Sequence, residues 1–287
     1  MQKTQIEWVL NPDNRTPGYT LNSKTGCLNG CPYCYARRLA NGRLKQRYLS
    51  NRNIAPMKGK ANRSGDIYLD PIIDPFYPRF WPERLKQVTK HKKPAGIFLD
   101  DMSDWMGDYW PAEWTEQEIQ MMRDTPQHRF YTLTKQPQNL IKISPFPDNC
   151  WVGVTATDTK MFVNACKYLR GVTATVKYIS FEPLLDWREP VLKYTEPVFG
   201  TDISTRLSTL DISWCIIGAQ THPTVWPNRY WMAEIIDACD KSNIPVFLKD
   251  NLKILVNDDY RQAGRFNFWT PKAELRQEMP KHSFENR

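Results

Sequence analysis

Three cysteines crowd into one short stretch of this chain, Gly26-Cys27-Leu28-Asn29-Gly30-Cys31-Pro32-Tyr33-Cys34, at C-x3-C-x2-C spacing. The thiolate is the soft-metal ligand among side chains, and three of them in a loop that Gly and Pro can turn tightly are able to converge on one centre. A structural zinc ion asks for a fourth Cys or His at short range. Here the next His is His91 and the next Cys is Cys150. A cubane 4Fe-4S cluster held by three cysteines leaves one iron open to a substrate or cofactor, so Cys27, Cys31 and Cys34 are candidate cluster ligands. Zinc, or three unrelated thiols, are the alternatives. The other four cysteines, Cys150, Cys166, Cys215 and Cys239, have no short mutual spacing and lie in apolar surroundings, as packing thiols do.

The elements that must position this loop follow a repeating pattern: a β-branched or aromatic run, a polar turn, then a stretch of helical period. The runs predict strands over Gly18–Leu21, Asp66–Leu69, Gly96–Leu99, Arg129–Leu133, Cys150–Thr155, Val176–Phe181, Ser213–Gly218 and Pro245–Leu248. Helices are predicted over Tyr33–Tyr48, Pro82–Lys90, Ala112–Arg123, Asp158–Leu169 and Tyr230–Lys241. Eight strands with intervening helices suggest an α/β fold, a full or partial TIM-like (β/α) barrel. A doubly wound sheet gives the same alternation, but no glycine-rich dinucleotide fingerprint follows any strand.

Polar residues recur just after these apolar runs, where parallel α/β folds build their sites. Asp100, Asp101, Ser103 and Asp104 follow the third strand, Lys135 the fourth, Asp158 the fifth, Glu182 the sixth, Gln220 the seventh, and Lys249 with Asp250 the eighth. Helix capping is the competing explanation, and for Asp158 it suffices. Glu182 ends a strongly apolar strand, where an unpaired carboxylate is costly, and so must meet a cation or a ligand group. Lys135 is a candidate partner; a purely structural ion pair is the alternative. His222 is a lone loop histidine and is left out of the catalytic set.

Composition sets the frame. The 287 residues are 41% hydrophobic and 24% charged, within the globular range. They fit one domain over 1–287 with a C-terminal extension from about residue 251. No apolar run approaches the roughly 18 residues that span a bilayer. The start, MQKTQIEWVL, lacks a signal peptide's apolar core, so a soluble cytoplasmic protein with no membrane partner is expected. A net charge of +8 favours a polyanionic partner, DNA, RNA or a nucleotide, although solubility charge gives the same number. Trp105, Tyr109, Trp110 and Trp114 lie just beyond the acidic loop. They could stack on an unpaired base beside the basic stretches Arg37–Arg47 and Lys86–Lys93, or pack a core.

The cysteine spacing, in a loop between a strand and a helix, resembles the radical S-adenosylmethionine superfamily. That resemblance implies an open iron that chelates S-adenosyl-L-methionine, with Tyr33 against the adenine, and a 5'-deoxyadenosyl radical that abstracts hydrogen from substrate. To this the strand-end residues add Asp101, Ser103 and Asp104 as candidate cofactor contacts, Lys135 and Glu182 as candidates at the reaction site, and Cys215, in the seventh strand, as a candidate hydrogen donor. Reduced flavodoxin or ferredoxin would be the electron source.

A narrower resemblance runs through nearly the whole chain. Thr4-Gln5-Ile6-Glu7-Trp8, Trp81-Pro82-Glu83-Arg84-Leu85, Met102-Ser103-Asp104, Leu133-Thr134-Lys135-Gln136-Pro137, Ser180-Phe181-Glu182-Pro183-Leu184-Leu185 and Ile244-Pro245-Val246-Phe247-Leu248-Lys249 are similar to blocks of the phage Gp37/Gp68 (DUF5131) family. Members often have a longer loop between the first two cysteines; the spacing here is that of mainstream radical enzymes. If phage-encoded, the protein would work in the bacterial host cytoplasm. The joint expectation is a radical enzyme acting on a nucleic acid or nucleotide, in base modification or repair in the manner of spore photoproduct lyase. The rival is a zinc- or cluster-bearing nucleic-acid-binding protein without catalysis. A metal-dependent barrel hydrolase would need paired histidines, and the four here form no convincing pair.

Overall fold

The computed structural model describes residues 1–56, 73–187, 202–256, 268 and 274–281. The predicted strand Asp66–Leu69 lies outside the described residues. The protein is a mixed α/β fold whose mostly parallel eight-stranded sheet is flanked by helices, and its chain divides into two compact units.

The first unit comprises Met1–Gln5, Val9–Asn139 and Phe146–Cys150. Its elements in chain order are β1 (Gln2–Lys3), β2 (Tyr19–Leu21), β3 (Lys24–Thr25), α1 (Tyr35–Asn41), α2 (Lys45–Ser50), β4 (Arg79–Phe80), α3 (Pro82–Lys90), β5 (Gly96–Leu99), α4 (Ala112–Arg123) and β6 (Arg129–Thr134). β2, β5 and β6 run parallel, β1 pairs antiparallel with β2, and β3 and β4 form a separate antiparallel pair. Local chemistry explains the helix bounds. Pro82 opens α3, a first-turn position where its missing N–H costs nothing. The stretch Tyr33–Tyr48 is two helices rather than one. Gly42 closes α1 by donating its N–H to the carbonyls of Arg38 and Leu39, and α2 begins afresh at Lys45.

The second unit comprises Ile6–Trp8, Leu140–Pro145 and Trp151–Arg287. It carries β7 (Cys150–Thr155) from Trp151 onward, α5 (Thr159–Leu169), β8 (Val176–Phe181), α6 (Ile203–Thr209), β9 (Ile212–Ile217), α7 (Arg229–Lys241) and β10 (Val246–Leu248). β7, β8, β9 and β10 are parallel neighbours. Asp158 is the N-cap of α5, its carboxylate accepting from the Met161 N–H at 2.8 Å, as the sequence implied. Side chains alternate across β9. Trp214 faces Trp8, Tyr178, Trp151 and Phe247 in a set of edge and tilted ring contacts, whereas its neighbour Cys215 meets Cys239 of α7. Residues of the C-terminal segment cover β10: Leu248 N–H donates to Arg276 O, and Glu278 N–H to Val246 O. An edge strand is thereby paired.

Within the first unit the strand order is β1-β2-β5-β6 and within the second β7-β8-β9-β10, so the barrel expectation is met at the level of a mostly parallel α/β sheet.

Candidate functional site

The cysteine loop is fixed by its backbone. Gly26 has φ +87°, and a Cβ there would lie 2.5 Å from the carbonyl oxygens of Phe76 and Tyr77, so only glycine fits. Its N–H donates to Met102 O at 3.0 Å and it bridges to Ser103, which ties the loop to the turn after β5. Cys27 N–H donates to Phe76 O, and Cys34 N–H to Cys31 O. Cys34 is the N-cap of α1, its Sγ accepting from Arg37 N–H at 3.3 Å, and Cys27 Sγ accepts from Asn29 N–H at 3.4 Å. Cys27 and Cys34 pack against one apolar cluster of Ala36, Ala40, Tyr48, Phe76 and Met102.

All three thiols are free and half-buried. Burial first, then the carboxylate of Asp104, push the Cys27 thiol up to about 12. A metal that binds such a thiol takes the place of its proton. By the chemistry of its donors, free thiols with amide N–H groups on two sulfurs, the loop fits a soft metal or iron–sulfur centre. Among the described residues no three Cys, His, Asp or Glu side chains are gathered around a single ion position.

The acidic turn after β5 is a frame around this loop. Asp100 is buried at φ +60°, its Oδ1 accepting from Lys24 N–H (2.8 Å) and Ser23 Oγ (3.3 Å). Ser23 also donates to Glu118, which forms a fully buried ion pair with Lys24 at 2.7 Å. Burial, then the Glu118 charge, hold the Asp100 carboxyl well above the usual carboxylate range. Asp101 accepts from Asn22 Nδ2 at 2.6 Å, and Tyr35 Oη donates to the Asp101 carbonyl at 2.6 Å; burial raises this carboxyl too. Ser103 Oγ donates to Asp100 O at 3.4 Å.

Asp104 is the most heavily used of the group. It accepts from Thr134 Oγ1 (2.5 Å), Asn29 Nδ2 (2.6 Å), Lys135 N–H (2.9 Å) and Met106 N–H (3.3 Å). Gln136 Nε2 donates in turn to Asn29 Oδ1 at 2.7 Å. Asp104 therefore bolts the cysteine loop to the end of β6. Of the residues expected near a cofactor, the structure brings Asp101, Ser103 and Asp104 to the cysteine loop, with half-buried Tyr33 inside it, but hydrogen bonds within the protein occupy both Asp104 oxygens. Lys135 joins the frame through its main-chain N–H.

In the second unit, Glu182 follows β8 and pairs with Lys249, just after β10, with Nζ to Oε1 at 2.5 Å. Glu7 Oε2 lies 3.6 Å from the same Nζ. Glu182 thus has its cation, and that cation is Lys249 where Lys135 was the candidate. Cys215 is fully buried on the helix-covered face of β9; the hydrogen bond with Cys239, then burial, push its thiol well above the usual range. The aromatic group Trp105, Tyr109, Trp110 and Trp114 is buried, each ring 9% exposed or less, and serves packing, with Trp114 stacked on Phe80 at 4.9 Å. Arg38, Arg43, Lys45 and Arg47 are exposed, while Arg37 turns inward to donate to Cys27 O.

Glu7, Asn29 and Asn22 carry no signal of their own in the sequence. Asn29 lies between two cysteines, the one clue that was there to read. No helix among the described residues is long and apolar enough to cross a membrane. One protein-family model matches residues 3–266; its description is a protein of unknown function (DUF5131). No curated protein and no solved structure matches the chain.

Proposed function

Taking as premise that the chain belongs to the DUF5131 family, we propose that it is a radical S-adenosylmethionine enzyme, with Cys27, Cys31 and Cys34 as ligands of a 4Fe-4S cluster. The observation that carries this reading is the loop itself: three free thiols at C-x3-C-x2-C spacing, two of them receiving amide N–H groups, bolted to a strand end through Asn29 and Asp104. When bound, the cluster and S-adenosyl-L-methionine supply a 5'-deoxyadenosyl radical for hydrogen abstraction. The chain's own residues hold the site rigid and limit water. Gly26 and Ser103 lock the loop to the acidic turn, and Phe76, Tyr48 and Met102 give it an apolar wall. Tyr33 and Asp101 are the side chains proposed to meet the cofactor, with Ser103; Asp104 positions the loop.

The architecture proposed is a partial TIM-like barrel, in the cytoplasm, with reduced flavodoxin or ferredoxin as electron donor. The substrate proposed is a nucleic acid or nucleotide, supported by the +8 charge and the exposed Arg38, Arg43, Lys45 and Arg47. The test is an anaerobic cleavage assay, with dithionite as reductant, on protein reconstituted with iron and sulfide. 5'-Deoxyadenosine should form with wild type and not with Cys31→Ala. A reconstituted wild type that binds iron yet yields no 5'-deoxyadenosine contradicts the radical reading and leaves a binding protein.

A further inference from the structure

The second unit holds a polar group that the cluster chemistry does not use. At the carboxyl ends of β8 and β10, Lys249 Nζ lies between Glu182 Oε1 (2.5 Å) and Glu7 Oε2 (3.6 Å). Two carboxylates share one ammonium, so the group carries a net charge of −1 when all three are ionised. It is partly exposed, with side-chain exposures of 15% for Lys249, 25% for Glu182 and 26% for Glu7.

The group is also held rigidly. Asp250 N–H donates to Glu7 Oε1, and Asn251 makes two hydrogen bonds with Ala219, joining the ends of β9 and β10. Gly218 leaves room for the pair: a Cβ there would lie 3.0 Å from both Glu182 Cγ and Lys249 Cδ. Burial lowers the Lys249 pKa, but the Glu182 and Glu7 carboxylates outweigh it and keep the amine charged.

The second Glu182 oxygen has no hydrogen bond among the described residues. Lys249 Nζ is bonded to Glu182 Oε1, and Oε2 is the other oxygen of that carboxylate, so the pair offers its groups in the succession donor, acceptor, acceptor. Each carboxylate oxygen has two lone pairs, so Oε1 can accept from a ligand while it holds Lys249. The complement is acceptor, donor, donor, and the Watson–Crick edge of guanine has it in O6, N1–H and N2–H. Adenine and cytosine offer one amino donor beside an acceptor, and thymine and uracil one N–H between two acceptors.

We infer that Glu182 and Lys249, with Glu7 neutralising the lysine, form a recognition subsite for the Watson–Crick edge of an unpaired guanine. This rests on the nucleic-acid part of the proposed function and names the base. A base in this position must be out of the helical stack, as single-stranded or flipped bases are. The selectivity has a physical basis, because a carboxylate left without its donor when the 2-amino group is missing forfeits a charge-assisted bond.

The test is binding by fluorescence anisotropy at low salt. Three labelled single strands are used: oligo-dT, the same strand with one central deoxyguanosine, and the same strand with deoxyinosine there, which lacks only the 2-amino group. The guanine strand is expected to bind about ten- to a hundredfold tighter than the inosine strand, the range for one hydrogen bond to a charged group. That ratio should collapse towards one in Glu182→Gln, with thermal melting as the check that the variant is folded; the wild-type comparison needs no variant. Equal binding of all three strands by wild type overturns the subsite and leaves the nucleic-acid reading standing. Failure of all three to bind overturns both.

Discussion

Asp104 decides whether the acidic turn is a frame or a cofactor contact. Replacing it with Ala removes the acceptor for Thr134 Oγ1, Lys135 N–H, Asn29 Nδ2 and Met106 N–H. Thr134 and Met106 are buried, whereas Asn29 and Lys135 are half-buried and recover part of their loss from water. A hydrogen bond to a charged group contributes about 1.5–3 kcal/mol, and a buried donor left without a partner costs about 1–3 kcal/mol. Two buried donors and two partly compensated ones add to roughly 3–5 kcal/mol, a large share of the 5–15 kcal/mol that a folded domain holds in total. At about 2–4 °C per kcal/mol for a chain of this size, the midpoint should fall by roughly 6–20 °C. Scanning calorimetry of the metal-free protein measures this without any cofactor present. Iron uptake by Asp104→Ala should be impaired as well, because Asn29, between Cys27 and Cys31, loses its tether. A variant that melts within 2 °C of wild type yet fails to bind S-adenosylmethionine would refute the reasoning and make Asp104 a direct cofactor contact.

Three further outcomes follow from the same geometry. Gly26→Ala should lower the melting midpoint and the iron content together, because φ +87° and two carbonyl oxygens at 2.5 Å leave no place for a methyl group; unchanged iron content contradicts this. The raised Asp100 pKa makes its contribution to stability fully present below the ordinary carboxyl value of 3.8 and lost as pH rises through the folded value. Asp100→Asn keeps the Oδ1 acceptor and never ionises, so its stability relative to wild type should improve as pH rises above about 4, and a pH-independent difference in urea unfolding counts against it. Lys249→Met leaves Glu182 and Glu7 facing each other without a cation, which should cost about 1–3 kcal/mol; urea unfolding reads it, and a variant as stable as wild type counts against it.

Much of the fold was legible because local signals agreed with the tertiary structure. Pro82 marked the start of α3, Asp158 that of α5, and the β-branched runs Cys150–Thr155 and Val176–Phe181 gave β7 and β8 to the residue. The merging of α1 with α2 shows the limit, since a single Gly42 is a weak break until its N–H is seen to close the turn. The cysteine loop was legible as donors, and its support was not. Asp104 and Asn29 are 75 residues apart, and Glu182 and Lys249 are 67 apart, so no periodicity or motif links them. The demand that Glu182 find a cation was readable from its apolar strand; which lysine answers depends on strand order. The Trp105–Trp114 cluster allowed stacking or packing equally by composition, and burial assigns it to packing. Cys215 had no signal for its face, because β9 is apolar on both sides and only the ring contacts of Trp214 separate the two.

The central claim is that Cys27, Cys31 and Cys34 hold an iron–sulfur cluster, and the most direct measurement is metal and sulfide analysis of protein reconstituted anaerobically, joined to Mössbauer spectroscopy. The account predicts about four irons and four sulfides per chain with a cubane signature, lost in Cys31→Ala. One zinc per chain retained through anaerobic purification, with no iron-dependent absorption after reconstitution, would contradict it.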